Sequence, residues 1–302
     1  MQEKKFQVLI LGYGEMGHAM ECLLAAHHAL RIWQRHPPAG TAPLALEAVG
    51  AESDVILFCL PATALAEISA RIAPHLRSDA FCLTISKGLD DRGRLPFEAI
   101  ASAVGTDRVA VLYGPMISEE IRAGKPAFAE CGATQPARAE QIAALYRDTA
   151  LYLTPSSDIA GLSWSAILKN VYALVFGMAD ELGLGDNVRG LLSVAALREL
   201  SRIVPILGGA ATTPFHLAGL GDLITTATSA GSHHHHLGRL IARGTREGLT
   251  GEGLHTLTLL RAHPRFDASL YPLFHLIDDC VQHPDQVRAR VTGWLRTPFR
   301  QV

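Results

Sequence analysis

Long hydrophobic runs are missing from this sequence. The apolar stretch behind the charged start Met1–Lys5 breaks at Gly12, and the one around Ile167–Met178 is interrupted by Lys169 and Asn170. The first is too short for the core of a secretory signal, and neither reads as a bilayer span. Cysteine is also scarce: Cys22, Cys59, Cys82, Cys131 and Cys280 are odd in number and never spaced Cys-x-x-Cys. That pattern argues against a disulfide framework and for a reducing compartment. Charge of one sign is lacking as well. The formal net charge is −2 and no Lys/Arg stripe stands out, so no nucleic-acid partner is expected. No internal repeat is visible, and His233–His236 is the only low-complexity patch. What is there is plentiful apolar residue, 48% of 302 positions, enough for two cores and too much for a disordered chain. The expectation is a cytoplasmic globular protein without a membrane span.

Phe6–Leu11 is a short, almost continuous apolar run, as a strand buried on both faces of a parallel sheet should be. Gly12 stops it, and helical spacing follows from Glu15 to His27. Further strand-like runs are Ala29–Gln34, Ser53–Leu60, Ala80–Ser86, Val109–Leu112 and Ala127–Cys131, with helical stretches at Ala62–Leu76 and Leu95–Val104. Alternating strands and helices point to a doubly wound parallel sheet. After Tyr152 no strand-like run returns; Thr154-Pro155-Ser156-Ser157 reads as a linker and Asp158 as the N-cap of a helix reaching Leu182. Helical spacing continues in Asn187–Leu207, His233–Arg243, Glu252–Arg261 and Tyr271–Val281. The expected organisation is an α/β domain over 1–154 and an all-α domain over 155–302.

Gly12-Tyr13-Gly14-Glu15-Met16-Gly17 is Gly-x-Gly-x-x-Gly set between the first strand and the first helix. The first glycine permits the tight turn, the second lets backbone approach a pyrophosphate, and the third lets helix and strand pack closely. The phosphates would then lie on the unpaired N–H groups at Glu15, Met16 and Gly17. This is the Rossmann arrangement, and it implies NAD or NADP. The second strand ends Trp33-Gln34-Arg35-His36, without the acid that accepts from a ribose 2′-hydroxyl. Arg35 suits a 2′-phosphate instead, which tilts the choice to NADP; the alternative is a solvated strand-end charge.

Ser86-Lys87-Gly88 closes a strand at its carboxyl end, where open α/β sheets place ligands. Lys87 there contacts substrate or is simply solvated; Gly114-Pro115 after the next strand either shapes the cleft wall or, on the plainer reading, makes an ordinary turn. Lys169, with Asn170 beside it, sits in a largely apolar helix. It either snorkels to water or is held for proton transfer. In Gly219–Thr226, Asp222 is an acid after a glycine turn, followed by Thr225 and Thr226. The bland alternative is a helix-start acid and two threonines bonded back to the helix. Glu252, between Gly251 and Gly253, is another helix-start acid. Successive helical residues step by about 100°, so only His233 and His236 of the histidine run share a face. No metal site is expected.

These blocks, in this order, resemble the NAD(P)-dependent glycerol-3-phosphate dehydrogenase family. The matching stretches are LGYGEMG from Leu11, SKGL from Ser86, YGPMISEEIRAGKP from Tyr113, SAILKNVYALVFGMADELGLGDN from Ser165, AGLGDLITT from Ala218 and GEG from Gly251. The resemblance implies hydride transfer between NAD(P)H and a small ketone or alcohol, with dihydroxyacetone phosphate and sn-glycerol 3-phosphate as first candidates. It implies that Lys169 exchanges the proton at the substrate carbonyl, that Asp222 orients Lys169, and that Lys87 is a second active-site lysine. It further implies substrate-holding roles for Asn170 and Thr226 and cofactor contacts at Gly12, Gly14, Gly17 and Glu252. By analogy, a homodimer is expected. Two departures stand out. His36–Glu52 is shorter than the family's segment, and Ser232-His233-His234 stand where the family carries the phosphate-binding Ser-Arg-Asn. The alternatives are a reductase of a different small keto compound and a dinucleotide-binding paralogue without turnover.

Overall fold

The computed structural model describes residues 5–38, 40, 44–229 and 231–297. The short stretch His36–Glu52 therefore lies partly outside the described residues. Two compact units divide the chain, Met1–Ile159 and Ala160–Val302.

The first unit is built on strands β1 (Gln7–Leu11), β2 (Ala29–Trp33), β3 (Val55–Phe58), β4 (Phe81–Thr84), β5 (Val109–Tyr113), β6 (Ala127–Ala133) and β7 (Leu151–Ser156). Between them run helices α1 (Glu15–Leu24), α2 (Leu46–Ala51), α3 (Leu65–Ile72), α4 (Pro96–Val104), α5 (Ser118–Arg122) and α6 (Pro136–Leu145). Among the described residues they form one seven-stranded sheet in the order β2-β1-β3-β4-β5-β6-β7. The central strands are buried at every position because both faces are covered. The period of two sorts their side chains into two layers. Val8, Ile10, Val55, Leu57 and Leu83 pack with Ala19, Met20, Leu24 and Leu145. Leu9, Leu11, Ile56, Phe58 and Cys82 pack with Leu46, Leu65, Ile68 and Ile100. Helices thus lie on both faces, as a doubly wound sheet requires.

Two expectations need correction. The sheet is mixed, since β6 runs antiparallel to β5 and β7 parallel to β6. Apolar periodicity carries no direction, so the reversal left no mark in the sequence. The supposed linker Thr154–Ser157 is mostly strand: Pro155 lies in β7, paired with Cys131. Proline lacks the N–H that a central strand would need, but β7 is an edge strand, where that loss is tolerated.

Among its described residues the second unit has no strand. Its helices are α7 (Ile159–Glu181), α8 (Asp186–Ile206), α9 (Asp222–Thr228), α10 (His233–Ala242), α11 (Glu252–Ala262), α12 (Pro272–Gln282) and α13 (Val287–Leu295). Helix α7 is long and apolar enough to cross a membrane by composition, yet 94% of its most apolar window is buried. A helix apolar all round that is packed on all sides is the core of its domain. Helix α10 crosses it at backbone contact. A Cβ at Gly177 would stand 2.0 Å from the His235 carbonyl oxygen, and one at Gly238 2.0 Å from that of Leu174. That crossing seats the histidine run against α7.

Candidate active site

The glycine turn separates into structural and open positions. Gly12 has φ +92°, and a Cβ there would meet the Cys59 carbonyl oxygen at 2.4 Å. A Cβ at Gly17 would meet the Gly12 carbonyl oxygen at 2.3 Å. Both glycines are demanded by the strand-turn-helix packing itself. Gly14 differs: it is the N-cap of α1, makes no side-chain cap, and a Cβ there would have nothing within 4 Å. The His18 N–H bonds to Gly14 O at 3.0 Å, so those of Glu15, Met16 and Gly17 precede the helical ladder and point outward. Open space in front of a helix start is what a dinucleotide pyrophosphate needs, and these residues fit that group. The Glu15 carboxylate, 67% exposed, is drawn toward α5, accepting from Ser118 Oγ and Arg122 Nη1, each at 3.3 Å. Glu15 is therefore suited to offer a ligand its backbone N–H. Behind the turn the Tyr13 hydroxyl bonds to the Glu21 carboxylate, which pushes its pKa up to about 12.

Beyond β2, Arg35 Nη2 donates to both Glu67 oxygens, each at 2.7 Å. A carboxylate, absent from the strand end itself, thus reaches Arg35 from α3, 32 residues away. No sequence signal marks it, because Glu67 lies among the exposed residues of an amphipathic helix.

The Ser86-Lys87 and Gly114 stretches meet in space. Lys87 Nζ donates to the Gly114 carbonyl at 3.2 Å, Tyr113 Oη to the Ser86 carbonyl at 2.8 Å, and Ser86 Oγ to the Leu60 carbonyl at 2.6 Å. These bonds tie the carboxyl ends of β3, β4 and β5 together. Gly114 has more than an ordinary turn's role, since a Cβ there would meet the Phe128 carbonyl oxygen at 2.4 Å.

In the second unit Lys169 does not snorkel. Its residue is 5% exposed, and Nζ lies 3.2 Å from Asp222 Oδ2 and donates to Thr226 Oγ1 at 2.7 Å. Asp222 and Thr226 sit four residues apart on α9 and so share a face. Thr226 Oγ1 also donates to the Asp222 carbonyl at 2.7 Å, and Thr225 bonds back to Gly221 in the same way. The back-bonded reading of the threonines and the chemical one thus coexist at Thr226. A buried ammonium persists only when paired and hydrogen-bonded, and Asp222 with Thr226 meets that need. A π-helical turn, Leu217–Gly221, leads into α9 and sets its start.

Asn170, 3% exposed, lies next to the head of α11: a Cβ at Gly253 would be 2.6 Å from the Asn170 carbonyl oxygen. Burial raises the carboxyl pKa of neighbouring Glu252. Gly253 N–H donates to His234 Nε2 at 3.4 Å, which leaves that ring's proton on Nδ1. His233 Nε2 lies 2.7 Å from the Thr250 carbonyl, an acceptor, so Nε2 carries the proton. Ser232 caps α10, its hydroxyl accepting from His235 N–H. His235 is structural in kind: buried, with Nε2 2.6 Å from Asp180 Oδ2, while Arg189 holds Oδ1. Burial pulls the Asp180 pKa upward, but the hydrogen bonds from Arg189 and His235 outweigh it and hold the carboxyl below its ordinary value. Sequence reasoning missed this cluster, because Asp180 and His235 stand 55 residues apart. Among the described residues no group of His, Cys, Asp and Glu is placed to hold a metal ion.

Known proteins resemble this chain over most of its length. Residues 41–139 match the family model for the NAD-dependent glycerol-3-phosphate dehydrogenase N-terminus, and residues 158–290 that for its C-terminus. The glycerol-3-phosphate dehydrogenase [NAD(P)+] of Gloeobacter violaceus is 32% identical over 303 residues, covering 97% of this chain and 94% of that protein. That of Deinococcus radiodurans is 34% identical over 279 residues, 84% of each. The crystal structure of glycerol-3-phosphate dehydrogenase from Coxiella burnetii superposes with a TM-score of 0.82 at 25% identity, over 95% of this chain and 99% of that one. A 2-dehydropantoate 2-reductase from Geobacter metallireducens shares the fold, with a TM-score of 0.59 at 17% identity over 91% of this chain and 99% of that one.

Proposed function

Because this chain belongs to the NAD-dependent glycerol-3-phosphate dehydrogenase family, we propose that it interconverts dihydroxyacetone phosphate and sn-glycerol 3-phosphate with Lys169 as its general acid and base. The buried Lys169–Asp222–Thr226 constellation carries this reading. A bound nicotinamide dinucleotide supplies or accepts the hydride. Reduction of a ketone then needs one proton at the carbonyl oxygen, and the Lys169 ammonium gives it; in oxidation the neutral amine removes it from the hydroxyl. Asp222 and Thr226 fix the direction of Nζ. Asn170 and Lys87 supply polar contacts to substrate. Gly12, Gly14, Glu15, Met16, Gly17 and Glu252 serve the cofactor, and Arg35 takes the 2′-phosphate of NADP.

The histidine run favours a second reading. With no guanidinium at His233 and His234, the bidentate grip that suits a phosphate is lost, and a small ketone without phosphate becomes the better substrate. One experiment separates the two: NADPH and NADH oxidation followed with dihydroxyacetone phosphate and a panel of small unphosphorylated ketones. Lys169→Met is expected to lower turnover on the favoured substrate by about 10²–10⁴ with cofactor affinity kept. A thermal melt of the variant verifies that loss of folding is not the cause. Wild-type turnover in the folded variant would remove Lys169 from the reaction.

A further inference from the structure

The surface where β2 ends carries four charges that alternate in sign. Arg35 is held by Glu67 of α3; one turn along that helix Arg71 donates from Nε to Glu47 of α2 at 2.6 Å. The Arg71 pKa is raised first by its hydrogen bond to Glu47, with the nearby Glu67 charge adding to it. Arg35 and Glu67 are half-exposed, 51% and 63%, so solvent and ligands reach both.

We propose that Glu67 is a specificity-determining residue: by holding Arg35 it weakens recognition of a 2′-phosphorylated dinucleotide and leaves the 2′-hydroxyl form untouched. The inference rests on the reading of Arg35 given above. A 2′-phosphate must take the guanidinium from a carboxylate that already makes two short contacts with it. If Glu67 stays, two anions crowd one cation; if Glu67 leaves, the bonds it made are lost. Either way the phosphate gains less than it would from an unengaged arginine. A cofactor bearing a 2′-hydroxyl asks nothing of Arg35 and leaves the pair intact. Removing the Glu67 charge leaves Arg71 with Glu47, so the rim becomes more positive without losing its other pair. An exposed ion pair of this kind contributes at most about 1 kcal/mol, so its release should tighten NADPH binding about two- to fivefold.

The test is a fluorescence titration of NADPH and of NADH on the full chain, for the wild type, Glu67→Gln, Glu67→Asp, Arg35→Ala and the double variant Arg35→Ala/Glu67→Gln. Both positions are exposed, and a thermal melt verifies folding. Glu67→Gln is expected to tighten NADPH about two- to fivefold with NADH unchanged, Glu67→Asp to keep the wild-type ratio, and the gain to vanish in the Arg35→Ala background. A gain that persists without Arg35, or an equal change for both cofactors, overturns the proposal. If Arg35→Ala weakens NADPH but Glu67→Gln changes nothing, Arg35 reads the phosphate and Glu67 does not govern it. If Arg35→Ala leaves NADPH unchanged, the reading of Arg35 falls and this proposal with it.

Discussion

At the scale of single residues, the histidine run shows how hydrogen bonding decides what a side chain offers. The Thr250 carbonyl holds the His233 Nε2 proton, so while the ring is neutral its Nδ1 is a bare acceptor that repels an anion. His234 differs, because Gly253 N–H points at its Nε2 and leaves Nδ1 protonated. While neutral, the pair offers a phosphate imidazole rings where a guanidinium would offer a charged fork. Charge-assisted bonds of that kind are worth about 1.5–3 kcal/mol, or about tenfold to a hundredfold in affinity. His233→Arg is accordingly expected to tighten dihydroxyacetone phosphate at pH 8 by that factor, read from KM and from calorimetry against the wild type at the same pH. An unchanged affinity would place the run away from any phosphate and move the unphosphorylated ketones into the lead. Of all this the sequence showed only the substitution itself. The tautomers depend on Thr250 and Gly253, 17 and 19 residues away, and no local pattern contains them.

At the scale of elements, glycine, proline or a helix-start acid made helix limits readable to within a few residues at α8, α10, α11 and α12, which begin and end close to their expected bounds. Legibility failed where the signal is not local. Strand β7 hides behind Thr154, Pro155 and Ser156, and its pairing with β6 comes from tertiary register. Helix α6 has few buried residues, only Ile142 and Leu145, so its apolar stripe is too thin to read. The attachment of α10 was equally invisible: besides the Gly177–Gly238 crossing, it rests on Asp180, which joins His235 of α10 to Arg189 of α8. Because its folded pKa is depressed from 3.8, Asp180 contributes stability that is present above that value and lost as pH falls through the lower folded one. Asp180→Asn should therefore be less stable than the wild type at pH 7, by about 1–2 kcal/mol allowing for the partly exposed arginine. The gap should close as pH is lowered below about 4. Urea unfolding across that range measures it; a gap independent of pH would mean that packing, not charge, holds α10.

At the scale of the whole molecule, a ligand that binds only the folded chain adds to its stability by mass action. At about one hundred times its Kd a cofactor contributes about 2.7 kcal/mol, which for 302 residues unfolding as one unit raises the melting midpoint by about 4 °C. The three glycines of the turn separate that gain from folding itself. Gly17 has no room for a side chain, since its Cβ would stand 2.3 Å from the Gly12 carbonyl oxygen. Gly17→Ala is thus expected to lower the midpoint of the ligand-free chain. Gly14 is extended, with φ −84° and ψ −163°, and faces open space. Any side chain can adopt that backbone, and removing a glycine also narrows the unfolded ensemble. Gly14→Leu should leave the ligand-free midpoint unchanged or slightly raised, yet fill the space in front of α1 where the pyrophosphate approaches. The expected result is a folded chain whose midpoint no longer responds to NADPH or NADH. Differential scanning calorimetry with and without each cofactor decides it. A retained shift in Gly14→Leu would put the dinucleotide somewhere other than this turn, whereas a fall in the ligand-free midpoint as large as that of Gly17→Ala would make Gly14 a packing glycine and not a binding one.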